Sequence, residues 1–240
     1  GIQLSKPLVN EPSAVRTAKA LNEFTRKSYS ILSSHPANKR RISMGLKPAN
    51  IVLCRGASVP PSIEPFRLKF GLEGANIAGV PLIKGVSRAI GFDVLDVKGA
   101  TGGIDTDVFT KAEAAVKAMD NYDFIFVHVK ATDTASHDGL IMKKIELIER
   151  VDSMIGRILD SVSEYDLFLA ITPDHVTPVT VRDHVGDPVP VLINGPGLLY
   201  DDVKDYSERS SLKGGLGRIR GQDLMPILLN YAGKMKKFGE

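Results

Sequence analysis

Three short polar segments carry residue types that could hold metal ions: Asp133-x-x-x-His137, Asp174-His175 and His184-x-x-Asp187. The chain has five histidines, and all but His35 and His128 fall in these segments, each near an aspartate. Imidazole and carboxylate together suit Zn2+ or Mn2+, whereas all-oxygen sites suit Mg2+ or Ca2+. Two such ions a few ångströms apart form a clamp for in-line displacement at phosphorus. One orients and activates the nucleophile, and the other neutralises the leaving or bridging oxygen. Each segment also has a plainer reading. Asp133 and His137 could be a helix N-cap and a surface histidine, Asp174-His175 could be turn chemistry ahead of Pro178, and His184 could be a satisfied loop histidine. The first two follow apolar runs and the third sits just before one, and these strand-end positions favour ligation, because open α/β sheets place function at the carboxyl ends of their strands.

Those runs define the elements that must position the site. Apolar runs at 51–54, 75–80, 92–97, 123–129, 167–171 and 189–193 read as strands. Helices are predicted over 81–90, 108–119, 140–162 and 223–231. In the third of these, Ile141, Ile145, Ile148, Val151, Ile155 and Ile158 recur at helical spacing. An earlier helix is expected from Ser13, as its cap, to about residue 32, with Ala14, Ala18, Leu21, Phe24, Ile31 and Leu32 on one face. A basic turn at 35–41 follows, with His35 as a C-terminal cap. Residues 1–12 read as a linker, 204–217 as a surface loop, and His128 as a core histidine inside a strand. Uniformly apolar strands alternating with helices predict an α/β fold, a mostly parallel sheet flanked by helices.

Composition excludes several classes. A net charge of +3 gives no nucleic-acid footprint. The single cysteine, Cys54, rules out a disulfide framework or cysteine cluster within one chain, and its apolar neighbours suggest a buried, inert thiol. No apolar run approaches the ~20 residues of a membrane span, and no secretory leader is read, so no membrane partner and a cytoplasmic location are expected.

Longer motifs carry a resemblance. Lys-Ala-Thr-Asp-Thr-Ala-Ser-His-Asp-Gly at 130–139, Asp-His-Val-Thr-Pro at 174–178 and His-Val-Gly-Asp-Pro-Val-Pro at 184–190 resemble archaeal cofactor-independent phosphoglycerate mutases, of the alkaline phosphatase superfamily. Segments 38–41, 48–56, 82–85, 99–107 and 218–221 extend the likeness across nearly the whole chain. The resemblance implies interconversion of 2-phosphoglycerate and 3-phosphoglycerate through a phosphoserine. It implies two divalent ions, Mn2+ foremost, with Mg2+, Co2+ or Zn2+ as alternatives, and no 2,3-bisphosphoglycerate. Asp133, His137 and His184 would hold one ion, and Asp174 and His175 part of the other.

The family pattern also opens with a strand ending in Asp-Gly, a Gly-Ser-Asp-Thr segment bearing the nucleophile, and an inserted substrate-binding domain. None of these is in the chain, and Ser58 does not lie in the nucleophile motif. Residues 13–240 are therefore expected to be the C-terminal part of an alkaline-phosphatase-like core lacking its N-terminal strand segment and inserted domain. Partners would be phosphoglycerate and either the missing N-terminal segment or a second copy. Alone, the chain is expected to turn nothing over. The alternatives are a phosphohydrolase of the same superfamily and a non-catalytic metal-binding fragment. Lys84, Lys130, Arg55, Arg218 and Arg220 are candidates for phosphate binding, by charge and fork geometry. The Gly-Ala-Thr-Gly-Gly run at 99–103 reads as a strand–helix turn, with Asp105 or Thr106 as the cap, in preference to an anion cradle.

Overall fold

A computed structural model describes residues 2–56, 59, 61–162 and 167–235; Ser58 lies outside them. The chain divides into two compact units, Gly1–Ser62 and Ile63–Glu240.

The first unit contains two helices. Helix α1 (Pro12–Ser34) starts inside the expected linker, because Pro12 occupies a first-turn position where its fixed φ and missing N–H are tolerated. Its N-cap is Glu11, not Ser13. The inward face includes Ala18 and Ser28, while Phe24 and Ile31 are exposed, so the apolar face read from sequence was partly misplaced. The expected linker is tied to this helix: the Ser5 N–H donates to Asn22 Oδ1 at 2.8 Å. The basic turn is instead a second helix, α2 (Pro36–Ser43). His35 terminates α1 as expected, and its ring also accepts from the Ala37 N–H at 3.2 Å, starting α2.

The run at 51–54 forms no strand. Buried Asn38 fixes the returning chain through both its amide atoms, to Ala49 O at 3.1 Å and from Ala49 N at 2.9 Å. Val52 N donates to Ser28 Oγ at 3.0 Å. Side chains thus hold this segment where a ladder was expected, and Cys54 is exposed, contrary to the buried reading.

The second unit runs α3 (Phe66–Phe70), β1 (Gly74–Ile77), α4 (Pro81–Ala89), β2 (Asp93–Val94), α5 (Val108–Ala118), β3 (Phe124–Val127), α6 (Ala131–His137), α7 (Ile141–Leu159), β4 (Leu169–Ile171), β5 (Leu192–Asn194), α8 (Glu208–Ser211) and α9 (Gly221–Tyr231). β1 is fully buried and pairs in parallel with β2 and β3, in the order β2-β1-β3. That is the parallel sheet expected, and β4 and β5 add a separate antiparallel pair. An apolar run carries no record of strand direction.

One core packs Ile77 of β1 against Val108, Ala112 and Ala115 of α5 and Met154 and Ile158 of α7. A second joins Phe66, Leu72, Phe92 and Leu229, with Phe66 and Phe92 edge-to-face at 4.9 Å. On α7 the buried residues are Leu147, Met154 and Ile158, whereas Ile141, Ile145 and Ile148 of the expected stripe are exposed. The turn ahead of α5 forms as expected, but its cap is Asp107, which accepts from Phe109 N at 2.9 Å and Thr110 N at 3.2 Å. Asp105 instead accepts from the Thr101 hydroxyl.

Candidate metal centre

The site begins where β3 ends. The chain passes through residues 128–130 into α6, a helix too short and too polar to show apolar periodicity. On it Asp133 and His137 are one turn apart and therefore share a face. The other half comes from the loops after β4. An antiparallel bridge between Val176 and Val185, with Val185 N donating to Val176 O at 3.0 Å, draws the Asp174–His175 segment alongside His184. The rings of His175 and His184 consequently stack at 3.8 Å.

Asp133, His137 and His184 converge, each offering an atom within 4.8 Å of the other two. Asp133 Oδ1 lies 3.4 Å from Nε2 of both histidines, and the two Nε2 atoms are 3.2 Å apart. His137 Nδ1 meets the Arg182 carbonyl at 2.8 Å. A carbonyl only accepts, so Nδ1 carries the proton and Nε2 presents its lone pair to the convergence point. A carboxylate oxygen and two imidazole nitrogens aimed at one point either share a proton, His184 donating to His137, or hold a cation. This mixed N/O donor set fits a divalent ion such as Zn2+ or Mn2+.

Asp133 is largely buried, its side chain 11% exposed. Burial alone would raise its carboxyl pKa, but hydrogen bonds from Lys130 and Thr177 and the Lys130 charge hold it below the ordinary value. The Thr177 hydroxyl donates to Asp133 Oδ1 at 2.8 Å. Its oxygen is then left to accept from His175 Nδ1 at 3.0 Å. That turns His175 Nε2, without a proton, toward Asp174 Oδ2 at 3.4 Å. These two atoms, both acceptors, form a second, smaller pair of donors to a cation.

All five expected ligands thus fall in one neighbourhood, three converging and two adjoining. The phosphate candidates are scattered. Lys130 is paired with Asp133, and exposed Arg220 pairs with Asp223 at 3.1 Å in the capping box of α9. Lys84 lies on α4, Arg218 is exposed ahead of α9, and Arg55 is exposed in the first unit. His128 lies just past β3, with burial lowering its pKa and Nδ1 buried without a partner among the described residues. It takes no part in the convergence. Sequence reasoning missed Thr177 and Arg182. Thr177 stood inside a recognised motif, but Arg182 acts through its backbone and left no signal in residue type.

The family model of the Metalloenzyme superfamily matches residues 17–231, and the chain belongs to that superfamily. It is 48% identical over 239 residues to the 2,3-bisphosphoglycerate-independent phosphoglycerate mutase of Ignicoccus hospitalis, covering 99% of this chain and 57% of that protein. Among solved structures, a Pyrococcus horikoshii protein superposes with a TM-score of 0.86 at 46% identity, over 95% of this chain and 60% of its own. The cofactor-independent phosphoglycerate mutase of Thermoplasma acidophilum gives 0.62 at 33% identity, over 93% and 54%. The α/β fold implied by the resemblance is therefore the fold of the chain, which spans little more than half the length of these relatives.

Proposed function

We propose that this chain is the metal-binding part of a phosphoglycerate mutase that interconverts 2-phosphoglycerate and 3-phosphoglycerate without 2,3-bisphosphoglycerate. The observation that carries the reading is the convergence of Asp133, His137 and His184 in a chain so similar to enzymes of that name. These three residues would hold one divalent ion, and Asp174 and His175 would contribute to a second. The mixed donors accept several divalent ions; the family resemblance puts Mn2+ first, with Co2+, Zn2+ or Mg2+ as substitutes. When bound, such ions neutralise phosphoryl oxygens and lower the pKa of a hydroxyl nucleophile.

The chain's own residues prepare that chemistry. Lys130 and Thr177 keep Asp133 ionised, and Thr177 also orients His175. Among the described residues of the second unit Lys84 and Arg218 form no ion pairs, which favours them over Arg220 for holding the substrate phosphate. Thr177 is 5% exposed and its hydroxyl is committed to Asp133, so it is a poor nucleophile. We assign that role to a serine in the portion of the relatives that this chain does not span. With phosphoglycerate as the proposed substrate, the cytoplasm is the location we assign to the enzyme.

The test combines the chain with a polypeptide carrying the remaining portion of such a relative. Phosphorus NMR then follows 2-phosphoglycerate in the presence of Mn2+. Formation of 3-phosphoglycerate, lost in His184→Ala, is expected. Release of inorganic phosphate without isomerisation would replace the mutase reading with a phosphohydrolase. No turnover despite bound Mn2+ would leave a non-catalytic metal-binding chain.

A further inference from the structure

We infer that Arg182 is a positioning residue of this site and that it acts through its backbone. A left-handed conformation turns its carbonyl onto His137 and fixes which ring nitrogen is free to bind a cation. The inference rests on the metal-centre reading but draws on separate observations. Arg182 has φ 59°, the only positive value at a non-glycine among the described residues. An L-residue with a Cβ enters that region only at an energetic cost, and it persists only where surroundings enforce it.

Three contacts enforce it here. Arg182 N donates to Pro178 O at 2.8 Å, closing the turn. Its guanidinium rests on Gly139, where an added Cβ would lie 2.5 Å from Nη2; Gly139 itself has φ +72°. That contact joins the turn to the end of α6. Finally, Arg182 O accepts from His137 Nδ1 at 2.8 Å.

The chemical consequence follows from imidazole tautomerism. A free neutral histidine ring favours the proton on Nε2, which here would occupy the point facing Asp133 and His184. An acceptor at Nδ1 reverses that preference and leaves Nε2 able to ligate. Arg182 therefore sets a metal ligand without approaching the metal position. Glycine would adopt the same φ freely, whereas a β-branched residue is the least tolerant of it.

The experiment uses the metal-free chain with nitrogen-15-labelled histidine, well above the ordinary imidazole pKa of about 6.5. It compares Arg182→Gly with Arg182→Val by NMR, and measures Mn2+ affinity by calorimetry. Wild type and Arg182→Gly should show the Nδ1–H form at His137 and similar affinities. Arg182→Val should shift His137 toward Nε2–H and weaken Mn2+ binding by about 10–100-fold. If Arg182→Val lacks the wild-type circular dichroism, Arg182→Ala takes its place. Retention of Nδ1–H and wild-type affinity in the bulky variant would overturn the inference. So would equal losses in the glycine variant, which would assign the effect to the side chain. If wild type itself binds no Mn2+, the metal reading fails, while the tautomer comparison still decides the role of Arg182.

Discussion

Lys111 is fully buried, and its ammonium donates to the His128 carbonyl at 2.8 Å with no carboxylate beside it among the described residues. The bond extends the ladder past the end of β1: His128 N still reaches Ile77 O at 2.9 Å, and Lys111 takes up the carbonyl of the same residue. Burial pulls the Lys111 pKa down from 10.5 to about 8. Below that value the folded and unfolded chains are both protonated, and the desolvation penalty is present in full. Between about 8 and 10.5 the folded chain has released a proton that the unfolded chain keeps, so stability rises with pH in that window. The slope reaches up to about 1.4 kcal/mol per pH unit. Urea unfolding of wild type and Lys111→Met across this range should show the wild type gaining on the variant as pH increases. Parallel curves would contradict the assignment.

At the scale of elements, the close approach of two loops decides the geometry above the sheet. A Cβ at Gly79 would lie 2.1 Å from the Thr101 carbonyl carbon, so only glycine lets the β1–α4 turn meet the loop that leads into α5. The obstructing atoms are backbone and cannot rotate aside. Gly79→Ala is therefore expected to destabilise the fold by about 2–4 kcal/mol. A urea midpoint within experimental error of wild type would show that the loops separate freely. The longer helices of this unit were legible from their amphipathic period, and the strands from short apolar runs alternating with those helices. Strand lengths were not, since pairing ends where neighbours turn away: β2 keeps only Asp93 and Val94 of the run at 92–97. α6 was missed because seven mostly small and polar residues show no period. On α7 the C-terminal half of the expected stripe, Val151, Ile155 and Ile158, does pack inward, but Leu147 and Met154 take the inward positions where Ile141, Ile145 and Ile148 were expected.

For the whole molecule, the five ligand candidates were legible because residue type and strand-end position report chemistry directly. The hydrogen bonds that orient them, from Thr177 and to the Arg182 carbonyl, depend on loop geometry and were not. Among the described residues β3 pairs with β1 alone and β4 with β5 alone, and no helix is long and apolar enough to cross a membrane. The chain covers 57% of the Ignicoccus relative, yet the three converging donors all lie within it. The central claim is accordingly that this chain binds a divalent ion by itself. Calorimetric titration of the metal-free chain with Mn2+ tests it most directly. Saturable binding is predicted, weakened by at least about 10–100-fold in His184→Ala, because losing a ligand should cost no less than losing its supporting contacts. An absence of binding to wild type, or unchanged binding to the variant, would contradict the claim.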